Sequence, residues 1–286
     1  MKDLYSQKNR IMQFSVLMSV YKNDKPDDFR IAVESISKYQ TLTPNEIVIV
    51  VDGPVPDALE KTIKDLCTEI GSMKVLWQEK NQGLGKALEI GMAAVSNELV
   101  ARMDADDISV PDRFEKQRAY MKVHSDCDVL GGQISEFIDS PDKIVAYRRV
   151  PLTTEGCKKY YQDRDPLNHM TVMFRRSAVM AVGNYQPWHL DEDSFLWGRL
   201  LKAGYHISNL PDILVNVRVG EQMYARRGGW KYFKSDTGLL KWKLKNNLTS
   251  YEKFIYNYIT RFIIQVIMPN SMRSWLFKNL LRKSKI

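Results

Sequence analysis

The strongest constraint on the fold is a set of four short apolar runs, each separated from the next by a stretch with helical spacing. Phe14–Val20, Glu46–Val51, Lys74–Trp77 and Leu99–Met103 are too uniformly apolar to alternate between core and solvent, so they read as strands buried on both faces. Residues 26–40, 56–70 and 84–96 lie between them and read as helices; the first has Phe29, Val33 and Ile36 on one side. Strand and helix alternating at this interval predict a parallel, right-handed, doubly wound sheet.

In such a sheet the carboxyl ends of the strands share one edge, where open α/β sheets bind ligands. Acids cluster there: Asp24 shortly after the first run, Asp52 directly after the second, and Asp104, Asp106 and Asp107 after the fourth. Asp104 and Asp106 would repel each other unless a cation lay between them. A hard divalent ion held by carboxylates and substrate phosphates meets that need, although a solvated turn or helix cap also uses Asp. Asp52 is suited to accept from a base or ribose, or to form a turn before Gly53-Pro54. Asn81-Gln-Gly-Leu-Gly85-Lys86 opens a helix, where glycines let backbone N–H groups approach a phosphate and Lys86 adds charge. Val110-Pro111 starts a further helix.

The second half is less regular. Asp126 to Phe137 and Lys143 to Arg149 read as a strand pair, and Met170 to Arg175 as a strand before a short helix. Glu192 to Ala203 reads as a helix closed by Gly204, with His206–Asn209 and Ile213–Val217 as short strands around Pro211. Leu190-Asp191-Glu192-Asp193 puts three acids at that helix start, more than the macrodipole requires, and one of them could serve as a general base. His169, alone before a strand, is a site candidate or a hydrogen-bonded core residue. Residues 14–217 show no linker and read as one domain, taken as a catalytic unit over 1–220.

Several chemistries lose their support. The P-loop spacing, G-x-G-x-x-G and G-x-S-x-G are all absent. Cys67, Cys127 and Cys157 are scattered and odd in number, which suits a reducing compartment. Residues 1–13 lack the apolar stretch of a signal peptide, and no uncharged run could span a bilayer; a cytoplasmic location is expected. Net charge is +8, but residues 221–286 hold 14 Lys/Arg against 3 Asp/Glu, leaving −3 for the rest. That asymmetry predicts an anionic surface for the tail. Helical spacing of Trp230, Phe233, Thr237, Leu240 and Leu244 follows the Gly228-Gly229 hinge, then an apolar stretch 250–268 and a last helix, Ser271 to Arg282. Basic, apolar helices of this kind fit interfacial membrane binding; the alternative is that they pack on the domain. A nucleic-acid-binding tail and a nucleotidyltransferase are the rival functions.

Taken in order, FSVLMSVY (14–21), IVIVVDG (47–53), NQGLGKA (81–87), ARMDADD (101–107), VMFRR (172–176) and DEDSFLWGRL (191–200) resemble the family 2 inverting glycosyltransferases, particularly bacterial members that build O-antigens and exopolysaccharides. The resemblance covers roughly 14–217 and implies the GT-A fold for a domain over 1–220, with nucleotide-sugar binding in about 14–107 and the acceptor half in about 108–220. It further implies a nucleotide-diphosphate sugar donor, UDP-hexose favoured, a Mn2+ or Mg2+ ion at Asp106 and Asp104, and a lipid-linked saccharide acceptor. Tyr21, Asp24, Asp52, Gly53, Asn81, Gly85, Lys86, Asp104 and Ala105 would line the donor site, with Asp52 reading the base and His169 nearby. Asp193 matches the base, with Glu192 and Asp191 as rivals. A histidine that many relatives carry after the last core strands is missing here, and Arg218, Arg226 or Arg227 is expected to meet the diphosphate instead. The implied setting is the inner face of the cytoplasmic membrane, with no nucleic acid.

Overall fold

A computed structural model describes residues 13–220, 228–269 and 272. Arg226, Arg227 and the expected helix Ser271 to Arg282, apart from Met272, therefore lie outside the described residues. Nine strands form a single sheet in the order β3-β2-β1-β4-β8-β6-β9-β5, with β7 paired to β6. They are β1 (Phe14–Val20), β2 (Glu46–Val51), β3 (Met73–Trp77), β4 (Leu99–Met103), β5 (Ile108–Ser109), β6 (Cys127–Phe137), β7 (Ile144–Arg148), β8 (Met173–Arg175) and β9 (His206–Arg218). The helices are α1 (Pro26–Ser35), α2 (Asp57–Glu69), α3 (Leu84–Ala94), α4 (Arg113–Val123), α5 (Thr154–Tyr161), α6 (Arg176–Ala181), α7 (Glu192–Lys202), α8 (Trp230–Lys245) and α9 (Tyr251–Phe262).

The first four strands are parallel, as their unbroken apolar runs require. Phe14, Val16, Met18 and Val20 face one core with Ile47, Ile49 and Val51; Leu17, Val48 and Val50 face the other. Both faces are thus covered, which is why alternation is missing. The fully parallel arrangement stops at β4. β8 runs antiparallel to both β4 and β6, and β5 antiparallel to β9, so the sheet is mixed.

Several expected elements differ in extent: the strand expected from Met170 begins at Met173, after a 3-10 turn over His169–Thr171, and the helix expected at Val110-Pro111 begins at Arg113. α1 ends at Ser35 rather than residue 40, because Ser35 Oγ and Ser37 Oγ donate to the carbonyls of Ala32 and Val33 (2.7 Å each) and Gln40 Nε2 donates to the Ser35 carbonyl. Such local side-chain bonds compete with helix continuation. β9 is one strand through Pro211 instead of two. Its register against β6 shifts between Gly131 and Gln133, and Gln133 Nε2 donates to the Leu210 carbonyl at 2.8 Å, bridging the place where proline has no N–H to offer.

The C-terminal helices do pack on the rest. Trp242 of α8 meets Phe195 of α7 edge-on, ring centroids 5.0 Å apart, and Phe233 likewise meets Tyr258 and Phe262 of α9 edge-on. Lys253 and Asn257 of α9 both bond the Asp163 carboxylate. The outward side of α9 and the π-helical turn Ile263–Ile267 leaves Tyr251, Tyr256, Ile259, Ile263 and Ile267 exposed. Among the described residues no helix is long and apolar enough to cross a membrane.

Candidate active site

At the carboxyl-end edge of the parallel strands, Asp52 follows β2, is buried and stitches down the glycine loop. Its two carboxylate oxygens accept the N–H groups of Gln82 (2.8 Å) and Gly83 (2.9 Å), and its carbonyl accepts from Asn81 Nδ2. Gly53 is required beside it: its φ is +86°, and a Cβ there would lie 2.4 Å from the Asn81 nitrogen. The loop then enters α3, where Lys86 pairs with Glu89 at 2.8 Å.

Asp24 folds back on Tyr21, accepting its N–H at 2.8 Å. Burial pushes the Asp24 carboxyl up to about 7, with Asp106 and Asp104 adding repulsion. Asp106 is raised to about 6 by burial and by Asp104, and buried Asp107 well above its ordinary range by burial, Asp104 and Asp106. Ala105 is buried between them. Arg218 closes this corner: its N–H donates to Asp107, its Nε to the Asp106 carbonyl, and it pairs with Asp28 at 3.1 Å. Its guanidinium therefore has protein partners here, beside the carboxylates rather than in open solvent.

Among the described residues no three His, Cys, Asp or Glu side chains are grouped to hold a metal. Asp104 and Asp106 nevertheless fit a hard cation. They are oxygen donors at the strand end, and they stand in an excess of carboxylate that Arg102 and Arg218 only partly offset. A Mg2+-type site uses one or two carboxylates and completes its shell with phosphate oxygens and water.

Across from this corner, α7 begins with Asp191, Glu192 and Asp193. Asp193 Oδ1 accepts the Ser194 N–H at 2.7 Å, and Oδ2 lies 3.8 Å from Nδ1 of buried His169. His169 Nε2 is 2.9 Å from the Tyr185 hydroxyl, and its ring meets Trp197 edge-on. Burial and the nearby Arg102 hold its pKa well below the ordinary imidazole range. Burial, then Asp165 and Glu192, raise Asp193 to about 8. Asp191 is raised to about 7 by burial and Asp165, and Glu192 upward by burial. A carboxyl poised near neutral pH is suited to proton abstraction.

Two contacts join the corners. A Cβ on Gly85 would lie 3.1 Å from Glu192 Cβ, so the glycine lets α3 abut the start of α7. Arg102 is 2 % exposed, ion-paired to Asp104, and in the field of Asp193 and Tyr185. Its Nε and Nη1 have no hydrogen-bond partner. Arg102 is legible in the sequence as an arginine inside a buried apolar strand, itself a signal of a site, whereas Asp165 and Tyr185 come near it only through tertiary packing.

Residues 15–182 match the family model described as "Glycosyl transferase family 2". An amylovoran biosynthesis glycosyltransferase of Erwinia amylovora, AmsE, is 36% identical over 265 residues, covering 93% of this chain and 98% of its own. A UDP-Gal:alpha-D-GlcNAc-diphosphoundecaprenol beta-1,3-galactosyltransferase of Escherichia coli is 35% identical over 271 residues, covering 95% of this chain and 97% of its own. Among solved structures, S. aureus TarS 1-349 in complex with UDP-GlcNAc superposes with a TM-score of 0.63 at 17% identity, over 93% of this chain and 79% of that one. The chain spans about half (48%) of the longer TarS crystal structure. The mannosyltransferase PcManGT from Pyrobaculum calidifontis, in complex with GDP-Man and Mn2+, gives 0.61 at 15% identity, over 92% of this chain and 72% of that one. The fold is that of the GT-A glycosyltransferases.

Proposed function

Because the chain belongs to glycosyl transferase family 2, we propose that it transfers a hexose from a UDP-sugar to a hydroxyl of a lipid-linked saccharide, inverting the anomeric centre, in cell-surface polysaccharide assembly. The observation that carries the reading is that two acid groups are brought close together, Gly85 abutting Glu192 and Asp104 acting on the Glu192 carboxyl. Asp24, Asp104, Asp106 and Asp107 form the first group, and Asp191, Glu192 and Asp193 the second. The relatives' names support donor and acceptor class: one acts on a diphosphoundecaprenol-linked sugar, and a fold neighbour is in complex with UDP-GlcNAc.

In this mechanism Asp193 takes the proton of the acceptor hydroxyl as its oxygen attacks C1 from the face opposite the nucleotide. The C1–O bond to the diphosphate breaks, and an α-linked donor yields a β-linkage. His169, tied to Tyr185, orients the Asp193 carboxylate. Asp104 and Asp106 would hold a divalent ion, which when bound supplies positive charge at the diphosphate. Arg102 adds a fixed cation between the two acid groups. The Asp52-held loop presents the α3 N-terminus to the nucleotide.

The acceptor's lipid motivates a peripheral position on the cytoplasmic membrane face. The exposed Tyr and Ile side chains of α9 and its π-helical turn supply the apolar contact, and the surplus of basic residues after 220 the electrostatic one.

A panel of UDP-, GDP- and dTDP-sugars with Mn2+ and a polyprenyl-diphosphate-linked saccharide tests the reading. Nucleoside diphosphate release that depends on the acceptor, with one UDP-sugar preferred, is expected. Pyrophosphate release from a nucleoside triphosphate would instead identify a nucleotidyltransferase.

A further inference from the structure

The acids at the start of α7 are delivered by a turn that its own sequence does not favour. Four non-glycine residues among those described have a positive φ. Asp139, Asn184 and Asn247 are of the types that tolerate it, and the fourth is Leu190, at +64°. Leu190 directly precedes Asp191, in a turn closed by the Asp191 N–H on the Trp188 carbonyl at 3.3 Å. The third position of such a turn, when its φ is positive, ordinarily holds glycine or asparagine. Leu190 is 52 % exposed, so burial does little to offset the strain. A strained conformation persists only where the surroundings over-determine it.

Here the surroundings are α8. Trp188 Nε1 donates to the Ser235 carbonyl at 3.2 Å, and Ser235 Oγ donates to the His189 carbonyl at 2.6 Å. One serine thus holds both residues that precede Leu190. Trp188 also packs its ring against Phe195 of α7, centroids 4.7 Å apart, and Phe195 meets Trp242 of α8. From the other side, buried Lys243 of α8 donates to the Tyr161 carbonyl at 2.9 Å, and the Tyr161 hydroxyl donates to the Ser194 carbonyl at 2.7 Å. That second chain fixes the backbone just after Asp193. We propose that Ser235 and Trp188 are positioning residues, which clamp the Trp188–Asp191 turn in its left-handed form and so set where α7 presents Asp193 to the acceptor hydroxyl. The inference rests on Asp193 being the base. It gives α8 a part in turnover separate from any membrane contact of α9.

The test removes the clamp and then makes the turn independent of it. Ser235→Ala combined with Trp188→Phe abolishes both side-chain bonds and keeps a ring beside Phe195; Ser235→Ala alone abolishes one. In acceptor-dependent transfer, kcat should fall by on the order of 10- to 100-fold for the combined variant and by less for the single one. Donor affinity by calorimetry should equal the parent's. Ser235→Thr, which keeps a hydroxyl for the His189 carbonyl, should retain more activity than Ser235→Ala. Adding Leu190→Asn, a residue that accepts a positive φ, should restore most of the kcat lost in the combined variant and raise its melting temperature. A general loss of packing would not be repaired by one turn residue. Parental kcat in the combined variant, a loss left undiminished by Leu190→Asn, or donor affinity lost in parallel would each overturn the proposal. Asp193→Asn run alongside separates the two claims. If it remains active, the base assignment fails and this inference with it. If it is inactive and the combined variant matches the parent, only this inference fails.

Discussion

Replacing Asp193 with asparagine should lower activity and raise stability together. The change is isosteric, and Oδ1 can still accept the Ser194 N–H. Native Asp193 is raised from 3.8 to about 8 by burial, with Asp165 and Glu192 adding to it. A carboxyl raised on folding opposes the folded state at any pH above its unfolded value. The penalty is absent below about pH 4, grows between there and pH 8, and is constant beyond. At pH 7 the part of the displacement already expressed corresponds to about 4 kcal/mol. Asp191 and Glu192 share the same burial and repulsion, so the gain from removing one carboxylate should be on the order of 1–2 kcal/mol. For a chain of this size that is roughly 2–4 °C in melting temperature per kcal/mol. Melts of parent and variant should therefore coincide near pH 4 and separate at pH 7.5, the variant higher. Transfer should fall by on the order of 10²–10⁴-fold, while calorimetry finds donor affinity intact. A lower melting temperature at pH 7.5, or donor binding lost with turnover, would refute the reasoning. Glu192→Gln proving the more damaging change would move the base to Glu192.

Asp106→Asn should abolish stimulation by Mn2+ and hold or slightly raise the melting temperature at neutral pH, because the parent carboxyl is raised to about 6 on folding; undiminished Mn2+-dependent turnover would remove the metal from Asp106. Gly198→Ala should destabilise by about 1–3 kcal/mol through overpacking against Tyr161 and Trp242, read as a lower urea midpoint with unchanged slope. Tyr256→Ser with Ile259→Ser, both on the outward face of α9, should weaken sedimentation with anionic liposomes at 0.5 M salt while sparing hydrolysis of the soluble donor. Retention equal to the parent would exclude α9 as the membrane-facing surface.

The first half of the fold was legible because burial on both faces writes each strand as an unbroken apolar run, closed by the acids that end it. The second half obeys no such rule. β8 contributes three residues, and its direction is set by where it wedges between β4 and β6, which no local pattern records. Pro211 looked like a strand break because the residue that accommodates it, Gln133, lies 78 positions away. Donor-side acids were visible as strand-end residues. His169 and Tyr185 become site neighbours only when α7 packs over them. Lys243 went unnoticed for a related reason: in sequence it is one more basic residue of a cationic tail, and only the helix face it occupies buries it.

The grip of Asp52 on the glycine loop bears on how fast the proposed donor would bind there. Both carboxylate oxygens hold the amides of Gln82 and Gly83 before any nucleotide arrives, so the conformational freedom of that loop has already been lost at folding. A ligand settling against it meets a finished surface and has little ordering entropy left to supply. Association would then be limited by encounter and by charge rather than by a slow closing step. The binding isotherm would carry a small entropic penalty, and loosening this one carboxylate would show first as a slower on-rate.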